Sequence, residues 1–461
     1  MDFQLDSLRR CVPSSIRQTL DELPTSLDET YERALQRISR EKQQHAHRLF
    51  QCLVAAIRPL HVEELAEILS IDFDPGATSS LVEGWRPENP EAAVLSTCST
   101  LITIVDNGGS KIVQFSHSSV KDFLLSNRLR ISWIENIRAY HTSLDAAHGV
   151  LARACLTVLL QLDERTDKTL LARFPLAFYA ARHWVYHARY EGVTPRVQDV
   201  MKRLFNPNWP YLTSWVWIHD ADQDGVLRTI DDLTKYPHKP RATALYYAAL
   251  CGFSELVDYL VVTHAEDANA KCGNRKSPLR AAVHMGHHEV VRVLLDNGAD
   301  VGPTGDEMLM RAYNHGHLEV MRLLLEHGTR TKMLDSQLLH DASRHGRADV
   351  IQLLFQHKAN VDAKDRELRT PLHCASIVGD AKVAQLLLEH GADVNAQSNI
   401  HETPLYLASQ NGCPEVVRLL LYHGANVHIQ GSNGLTPFQT ARLRGYNTVG
   451  RLLLEHGAEK K

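Results

Sequence analysis

The chain has 461 residues, and at about 150 residues per domain that is more than one hydrophobic core serves, so a multidomain protein is expected. Apolar residues make up 44%, charged residues 23%, and Gly and Pro only 25 and 18 positions, which excludes wholesale disorder and collagen-like repetition. The formal net charge of −4 gives the whole molecule no electrostatic attraction to phosphate backbones or anionic lipid. The eight cysteines (Cys11, Cys52, Cys98, Cys155, Cys251, Cys272, Cys374 and Cys413) include no CxxC pair, and the start MDFQLDSLRR lacks an apolar h-region. An intracellular, cytoplasmic protein with reduced thiols is expected. No apolar run reaches the roughly 18 to 20 residues that cross a bilayer, so no membrane insertion is expected.

In chain order, Leu23 to Ser39 opens with Pro24 and the capping box Ser26-Leu-Asp-Glu29, then places Leu27, Tyr31, Ala34, Leu35 and Ile38 on one helical face. Arg48 to Ile57 predicts a more apolar helix, Arg58-Pro59-Leu60 stops it, and HVEELAEILSIDF starts another. After a polar, Pro- and Gly-containing loop, LSTCSTLITIVDNGGSKIVQFSH gives two β-branched runs joined at Asp-Asn-Gly-Gly, a hairpin signal. Three helices and then a hairpin is the winged-helix order. DNA binding by this module is weighed and set against its charge: residues 1 to 141 carry 15 basic and 19 acidic side chains, and HVEELAEIL, taken as the groove-reading helix, is acidic.

The phrases ELPTSLDETYERAL, IRPLHVEELAEIL, CSTLITIV and VQFSHSSVKDFLLS resemble the region after the nucleotide-binding core in fungal NACHT-type members of the STAND ATPases. That resemblance implies a winged helix that packs on a nucleotide domain, with His117 of FSHSSVKDFL at the position that approaches a bound diphosphate. In relatives the opening phrase QLDSLRRCVPSSIRQTLDELP continues from the ATPase core, which implies a nucleotide domain upstream. His117 otherwise reads as a helix-start histidine. A P-loop needs Gly-Lys before Ser or Thr, and no Gly-Lys dipeptide occurs in the chain. Ile102 to Asp106 mimics a magnesium-holding strand but leads into a hairpin turn, and Asn107-Gly-Gly-Ser-Lys111 reads as that turn. Ser116, His117 and Asp122 lack the G-x-S-x-G elbow of a hydrolase, so no enzyme activity and no cofactor are expected.

From about His141 to Pro240, DAAHGVLARACLTVLLQL and FPLAFYAARHWVYHARY predict helices with a core-forming aromatic load. His183 and His187 lie four apart on one face, a ligand spacing, but among Trp184, Tyr186 and Tyr190 they read as packing. The resemblance continues here, since fungal members carry a similar HW-x-x-HA segment before their repeats.

Glycines then recur at Gly252, Gly286, Gly316, Gly346, Gly379, Gly412 and Gly445, spaced 34, 30, 30, 33, 33 and 33 residues apart. Nine residues before each begins a motif: TALY, SPLR, EMLM, QLLH, TPLH, TPLY and TPFQ. Thr-Pro-Leu-His is a helix start: the hydroxyl caps free amides, Pro needs no N–H at the first position, and Leu turns inward. A second apolar helix follows, as in VAQLLLEHGADV from Val383, and one such pair cannot bury both faces, so the pairs must stack. These residues resemble the ankyrin repeat over about Lys239 to Lys461. The third and fourth repeats are three residues short and lack Thr-Pro, which predicts truncated fingers. Glu459, Lys460 and Lys461 give the last pair a polar end. His327, His390, His423 and His456 belong to the x-His-Gly helix ending, and His284, His287 and His288 have no Cys or acidic partner at zinc spacing, so no metal is expected.

The expectation is a mainly α protein: a winged-helix-like domain of NACHT/STAND type (1–140), a helical linker domain (141–238) and an ankyrin-repeat solenoid of about seven repeats (239–461). The ankyrin resemblance implies a non-enzymatic scaffold that recognises a protein partner through its concave surface. Partner-binding candidates are Asp365, Arg366, Glu367, Arg369, Asn399, Ile400, His401 and Glu402 on the fingers, with Tyr406 and Gln439 on the inner helices. A fragment of a STAND ATPase switch and a winged-helix DNA-binding regulator stand as alternatives, and no nucleic-acid partner is expected.

Overall fold

The computed structural model describes residues 26–73, 79–208, 210–223, 233, 240–328 and 332–459, with only the backbone of 332–335. The opening segment with Cys11 and Pro24 and the tail residues Lys460 and Lys461 lie outside the described residues. The chain divides into two compact units, Met1–Pro278 and Leu279–Lys461.

In the first unit, Ser26 Oγ accepts from Glu29 N at 3.2 Å and starts the helix Leu27–Gln36. The helix Gln43–Ala55 follows, with Leu49 and Phe50 fully buried. It begins five residues before the apolar stretch announces it, because its first turn, Gln43-Gln44-His45, is polar. Pro59 ends this stretch, β1 (Leu60–His61) leads into Val62–Leu69, and β2 (Ile71–Asp72) pairs antiparallel with β3 (Ser80–Leu81). A helix then spans Pro90–Cys98, where the sequence pattern gave a loop and an early strand. Asn89 Oδ1 caps it by accepting from Ala92 N at 3.0 Å, and Pro90 sits in its first turn. Ala92, Ala93, Val94 and Leu95 form one unbroken run, so helical periodicity is invisible there.

β4 (Ile102–Asn107) and β5 (Ser110–Phe115) close a hairpin at Gly108 and Gly109, whose φ values of 64° and 94° are those of a primed two-residue turn. The sheet order β1-β5-β4, all antiparallel, with the helices Gln43–Ala55, Val62–Leu69 and Pro90–Cys98 before the hairpin, is a winged helix. The third helix of that order is therefore Pro90–Cys98, not Val62–Leu69, the helix weighed against groove reading in the sequence. Glu91 is its only charged residue, so the absence of cations holds for the corrected helix too.

Val62–Leu69 is buried on most of its surface, including Glu64 and Glu67. Glu67 accepts from Arg86 Nη2 at 3.0 Å and from the backbone N–H of Leu176 at 2.8 Å, while Arg86 Nη1 donates to Arg173 O at 2.8 Å. Burial pushes the Glu67 carboxyl up to about 7, against the opposing pull of the Leu176 amide and Arg86. Glu67 thus ties this acidic helix to the chain at Leu176, among the later helices, the first of which packs on Gln43–Ala55. Those are Leu144–Leu159, Ala177–Ala188, Thr194–Leu204 and Tyr211–Ile218, around a core of Trp184, Phe205 and Trp215. Trp184 stacks on Phe253 at 5.4 Å, and Trp215 meets Tyr247 at 5.9 Å, so this core continues into the first repeat, Ala244–Cys251 and Ser254–His264.

A buried polar clamp completes the join. Asp222 accepts from Arg275 Nη1 at 2.6 Å, Tyr246 Oη at 2.7 Å and Asn274 N at 2.6 Å. Three donors on one desolvated carboxylate provide the compensation that a buried charge requires.

The second unit stacks helix pairs. First helices are Pro278–Met285 (its Pro belonging to the first unit), Gly305–His315, Lys332–Arg344, Pro371–Val378, Pro404–Gln410 and Pro437–Leu443. Second helices are His288–Asp296, Leu318–Glu326, Ala348–Gln356, Ala381–Glu389, Pro414–Tyr422 and Asn447–Glu455. Leu294, Leu324, Leu354, Leu387, Leu420 and Leu453 form a continuous buried row. In the third and fourth repeats the first helices lengthen to 11 and 13 residues, the third directly after a short turn at Gly302–Thr304, in place of a full finger.

The turn glycines do more than permit φ near 77°. A Cβ on Gly286 would lie 2.5 Å from the His317 ring, one on Gly379 2.6 Å from Cys413 Sγ, and one on Gly412 2.5 Å from the Tyr446 ring. From Gly286 to Gly412, each turn glycine receives the residue just after the turn glycine of the next repeat.

Candidate partner-binding surface

The fingers of the fifth to seventh repeats share one construction. Asp365 Oδ1 accepts from the N–H groups of Glu367 and Arg369, both at 2.9 Å, and Asp365 N donates to Arg369 O at 3.0 Å. In the next finger Ser398 Oγ accepts from Ile400 N at 3.4 Å and Glu402 N at 3.2 Å, and Ser398 N donates to Glu402 O at 3.0 Å. Leu368 and His401 occupy the matching left-handed position at φ 56° and 61°, which Gly434 fills in the seventh repeat.

Neighbouring fingers are tied together. Asn399 N donates to Glu367 O at 2.9 Å, Asp393 N to Asp362 Oδ1 at 3.0 Å, and Asn426 N to Asn395 Oδ1 at 2.8 Å. Each finger is also fastened to the helix before it. His373 Nε2–H donates to Glu402 O at 3.0 Å, while its Nδ1 accepts from Thr370 N at 3.0 Å. Burial pushes this imidazole down to about 4, so it is neutral at pH 7 with the proton on Nε2. His340 Nε2 makes the same contact to Arg369 O at 2.7 Å. Tyr406, the equivalent residue one repeat on, instead lies against Gly431, where a Cβ would come within 2.8 Å of its ring.

The sequence-derived candidates divide on this frame. Arg366, Glu367, Asn399, Ile400 and His401 are exposed at the finger tips. Asp365 is part of the turn's own hydrogen bonding. Arg369 is half-buried and pairs with Glu367 at 2.5 Å, with Glu402 at 3.9 Å. Tyr406 and Glu402 are 2% and 8% exposed, so the expectation that they contact a partner is corrected: one packs under a finger and the other carries the carbonyl that His373 holds. Gln439 is half-buried and closes a capping box, its Oε1 accepting from Thr436 N at 2.9 Å. Sequence reasoning missed Leu368, which is 46% exposed at the fifth finger tip. Its alignment with Gly434 at the left-handed position was the available signal.

His117 is exposed. Its Nδ1 lies 2.6 Å from Ser119 Oγ and accepts from Ser119 N at 3.2 Å, so it starts the helix Ser119–Leu125. His187 is fully buried between His148 Nδ1 at 2.7 Å and Tyr179 Oη at 3.0 Å, and burial, reinforced by His148, pushes it down to about 3. It joins the helices Leu144–Leu159 and Ala177–Ala188. Among the described residues, no three His, Cys, Asp or Glu side chains are grouped so as to hold a metal ion. No helix among them is long and apolar enough to cross a membrane.

Comparison with known proteins agrees with this architecture. The family model for ankyrin repeats matches residues 218–305, 245–336, 309–398, 339–431 and 396–461, together more than half of the chain. The model for the GPI inositol-deacylase winged helix domain matches residues 31–134. Azaphilone pigments biosynthesis cluster protein L of Monascus ruber is 30% identical over 297 residues, 61% of this chain. The matched region likewise covers 61% of that relative's length. Alpha-latrocrustotoxin-Lt1a of Latrodectus tredecimguttatus is 40% identical over 65 residues, 14% of this chain and 5% of the toxin. Among solved structures, the ankyrin repeat domain of Bcl-3, of the IkappaB protein family, is 29% identical and covers 47% of this chain and 100% of its own, with a TM-score of 0.40. With the repeats matched by model and seen in the fold, the chain belongs to the ankyrin-repeat proteins and carries a winged helix ahead of its repeats.

Proposed function

We propose that this chain is a non-enzymatic scaffold whose fifth and sixth ankyrin fingers recognise a protein partner, within an intracellular, cytoplasmic signalling or non-self-recognition role of the fungal NACHT type. The observation that carries the reading is the tied lip of fingers. Backbone bonds from Asn399 N to Glu367 O, and from His373 and His340 to finger carbonyls, fix a frame on which Arg366, Glu367, Leu368, Asn399, Ile400 and His401 remain accessible. Side chains held on a rigid frame lose little further freedom on binding, which is how such a surface gains affinity. Asp365 and Arg369 hold the turn, and Gln439 holds its helix, rather than meeting the partner. The domain reading is a winged helix (1–140), a helical linker (141–238) and repeats (239–461).

The test is affinity capture with the whole chain, comparing wild type with Arg366→Ala/Leu368→Ser/Ile400→Ser and with Arg418→Ala/Tyr422→Ala on the second helix of the sixth repeat. A partner lost only with the finger variant supports the reading; one retained by it refutes the reading.

A second reading is favoured by the order winged helix, helical segment, repeats: the chain is the sensing part of a nucleotide-driven switch. Its test is the 5′ end of the transcript and the native mass of the protein, where an in-frame P-loop upstream supports it. Duplex binding is not part of either reading, because Val62–Leu69 is buried and Pro90–Cys98 carries no cation.

A further inference from the structure

Away from the fingers, the turn ends of the first helices in the second unit change chemistry in an ordered way. The two residues before each turn glycine are His284 and Met285, Asn314 and His315, Arg344 and His345, then Ile377 and Val378, Gln410 and Asn411, and finally Leu443 and Arg444. His315, Arg344 and His345 are exposed, as is Val378 at 51%. Arg311, His317 and Arg347 extend the same face at half burial.

Cations are favoured at helix C-termini by the helix dipole, so a cation at each end would be unremarkable. Two observations go beyond that. His317 and Arg347 lie after the helices, over the glycine turns of the preceding repeats, with Arg347 set on the Tyr313 ring at 4.5 Å. The row is also interrupted at the fifth and sixth repeats, before Arg444 of the seventh, although the helix of the fifth ends with the same dipole in Ile377 and Val378.

The charged groups on this face are identifiable. His284 Nδ1 is 3.4 Å from Arg311 Nη1, its ring is 5.1 Å from that of His315, and His315 is 5.7 Å from His317. His315 and His345 each donate from Nδ1 to a carbonyl of their own helix, Arg311 O at 2.9 Å and Asp341 O at 2.8 Å. The acids are Glu307, paired with Arg280 at 2.6 Å and Arg311 at 3.4 Å; Asp341, paired with Arg344 at 3.2 Å; and Asp380, which accepts from Val383 N at 3.0 Å beside Gly346. The carboxylates of this face are thus matched by arginine or backbone.

From the charged turn end of the third repeat to the apolar one of the fifth is two helix spacings, about 20 Å at roughly 10 Å each. An extended chain covers that in about six residues. We propose that this face binds an extended acidic protein segment carrying an apolar residue about six positions from its leading carboxylate. The inference rests on the interaction-protein reading but not on the fingers.

The experiment is fluorescence anisotropy of the whole chain with labelled hexaglutamate-dileucine, in both chain directions, and with octaglutamate, at low salt. The dileucine peptide is expected to bind more tightly than octaglutamate, and Val378→Ser to remove that advantage. His315→Ala/Arg344→Ala, both exposed positions, is expected to abolish binding while circular dichroism stays unchanged, and Arg366→Ala/His401→Ala in the fingers to leave it intact. Affinity unmoved by His315→Ala/Arg344→Ala overturns the proposal. Equal binding of heparin or duplex DNA also overturns it, making the face a general polyanion surface. Loss of peptide binding in the finger variant instead would refer the peptide to the fingers and likewise overturn it.

Discussion

Gly286 and Gly298 offer a matched pair for measuring what the join between repeats contributes. Both have left-handed backbones, φ 77° and 82°, so replacing either by Ala adds the same conformational cost, about 1–2 kcal/mol. They differ in surroundings: a Cβ at Gly298 meets nothing within 4 Å, whereas one at Gly286 would sit 2.5 Å from the His317 ring. That ring must swing away, giving up its packing and the bond from Nε2 to His284 O at 3.3 Å, an overpacking cost of about 1–3 kcal/mol. Gly298→Ala should therefore cost about 1–2 kcal/mol and Gly286→Ala about 2–5 kcal/mol. In a His317→Ala background the difference between the two should shrink to about 0.5 kcal/mol, the level at which independent sites add. Urea unfolding of the whole chain followed by circular dichroism, with the three single and two double variants, reads this out. Equal losses for the two glycines, or a difference that survives His317→Ala, would refute the packing argument.

Two further outcomes are expected. Asp222→Ala strips the counter-charge from buried Arg275, so it should destabilise the first unit by about 3–5 kcal/mol, visible as faster hydrogen exchange in residues 144–264 with less change beyond Leu279. His373 ordinarily titrates at 6.5 and is pushed to about 4 in the fold, so between those values the unfolded chain binds more protons and stability falls as pH drops from 6.5 towards 4. The loss is roughly 3 kcal/mol at full protonation, and His373→Gln, the residue type at position 439, should flatten that limb of the pH–stability curve without flattening the part due to His187.

Much of the architecture was legible because it repeats. Thr-Pro at a helix start and Gly at its end recur at fixed spacing, and each has a local reason, so the helix pairs were readable without tertiary knowledge. The hairpin was readable for the same cause, since Asn107-Gly108-Gly109 demands a primed turn. The helix Pro90–Cys98 was not, because an Ala-Ala-Val-Leu run has no period and only the Asn89-Pro90 cap distinguishes it. At the candidate surface, exposure was the illegible quantity. Tyr406 and Gln439 occupy the same repeat position as His373, and whether that side chain reaches solvent depends on the finger of the next repeat lying over it. Asp365 and Glu402 look like surface charges in sequence, yet one is used up by turn amides and the other by burial beneath the finger. Long-range matches such as Asp222 with Arg275, or Glu67 with the Leu176 amide, connect residues 53 and 109 positions apart, which no local pattern encodes.

The contact between a turn glycine and the residue that follows the next one, repeated from Gly286 to Gly412, makes these repeats of the second unit incomplete at their edges. His317, Arg347, Asp380, Cys413 and Tyr446 are chemically unlike, yet each is the key for the socket of the repeat before it. Each key lies a full repeat beyond its socket in the chain, so exchange between such arrays, wherever the cut falls, parts at least one key from its socket and mates strangers there. Insertion or deletion of a whole repeat by recombination would be expected to survive where the new neighbours happen to fit.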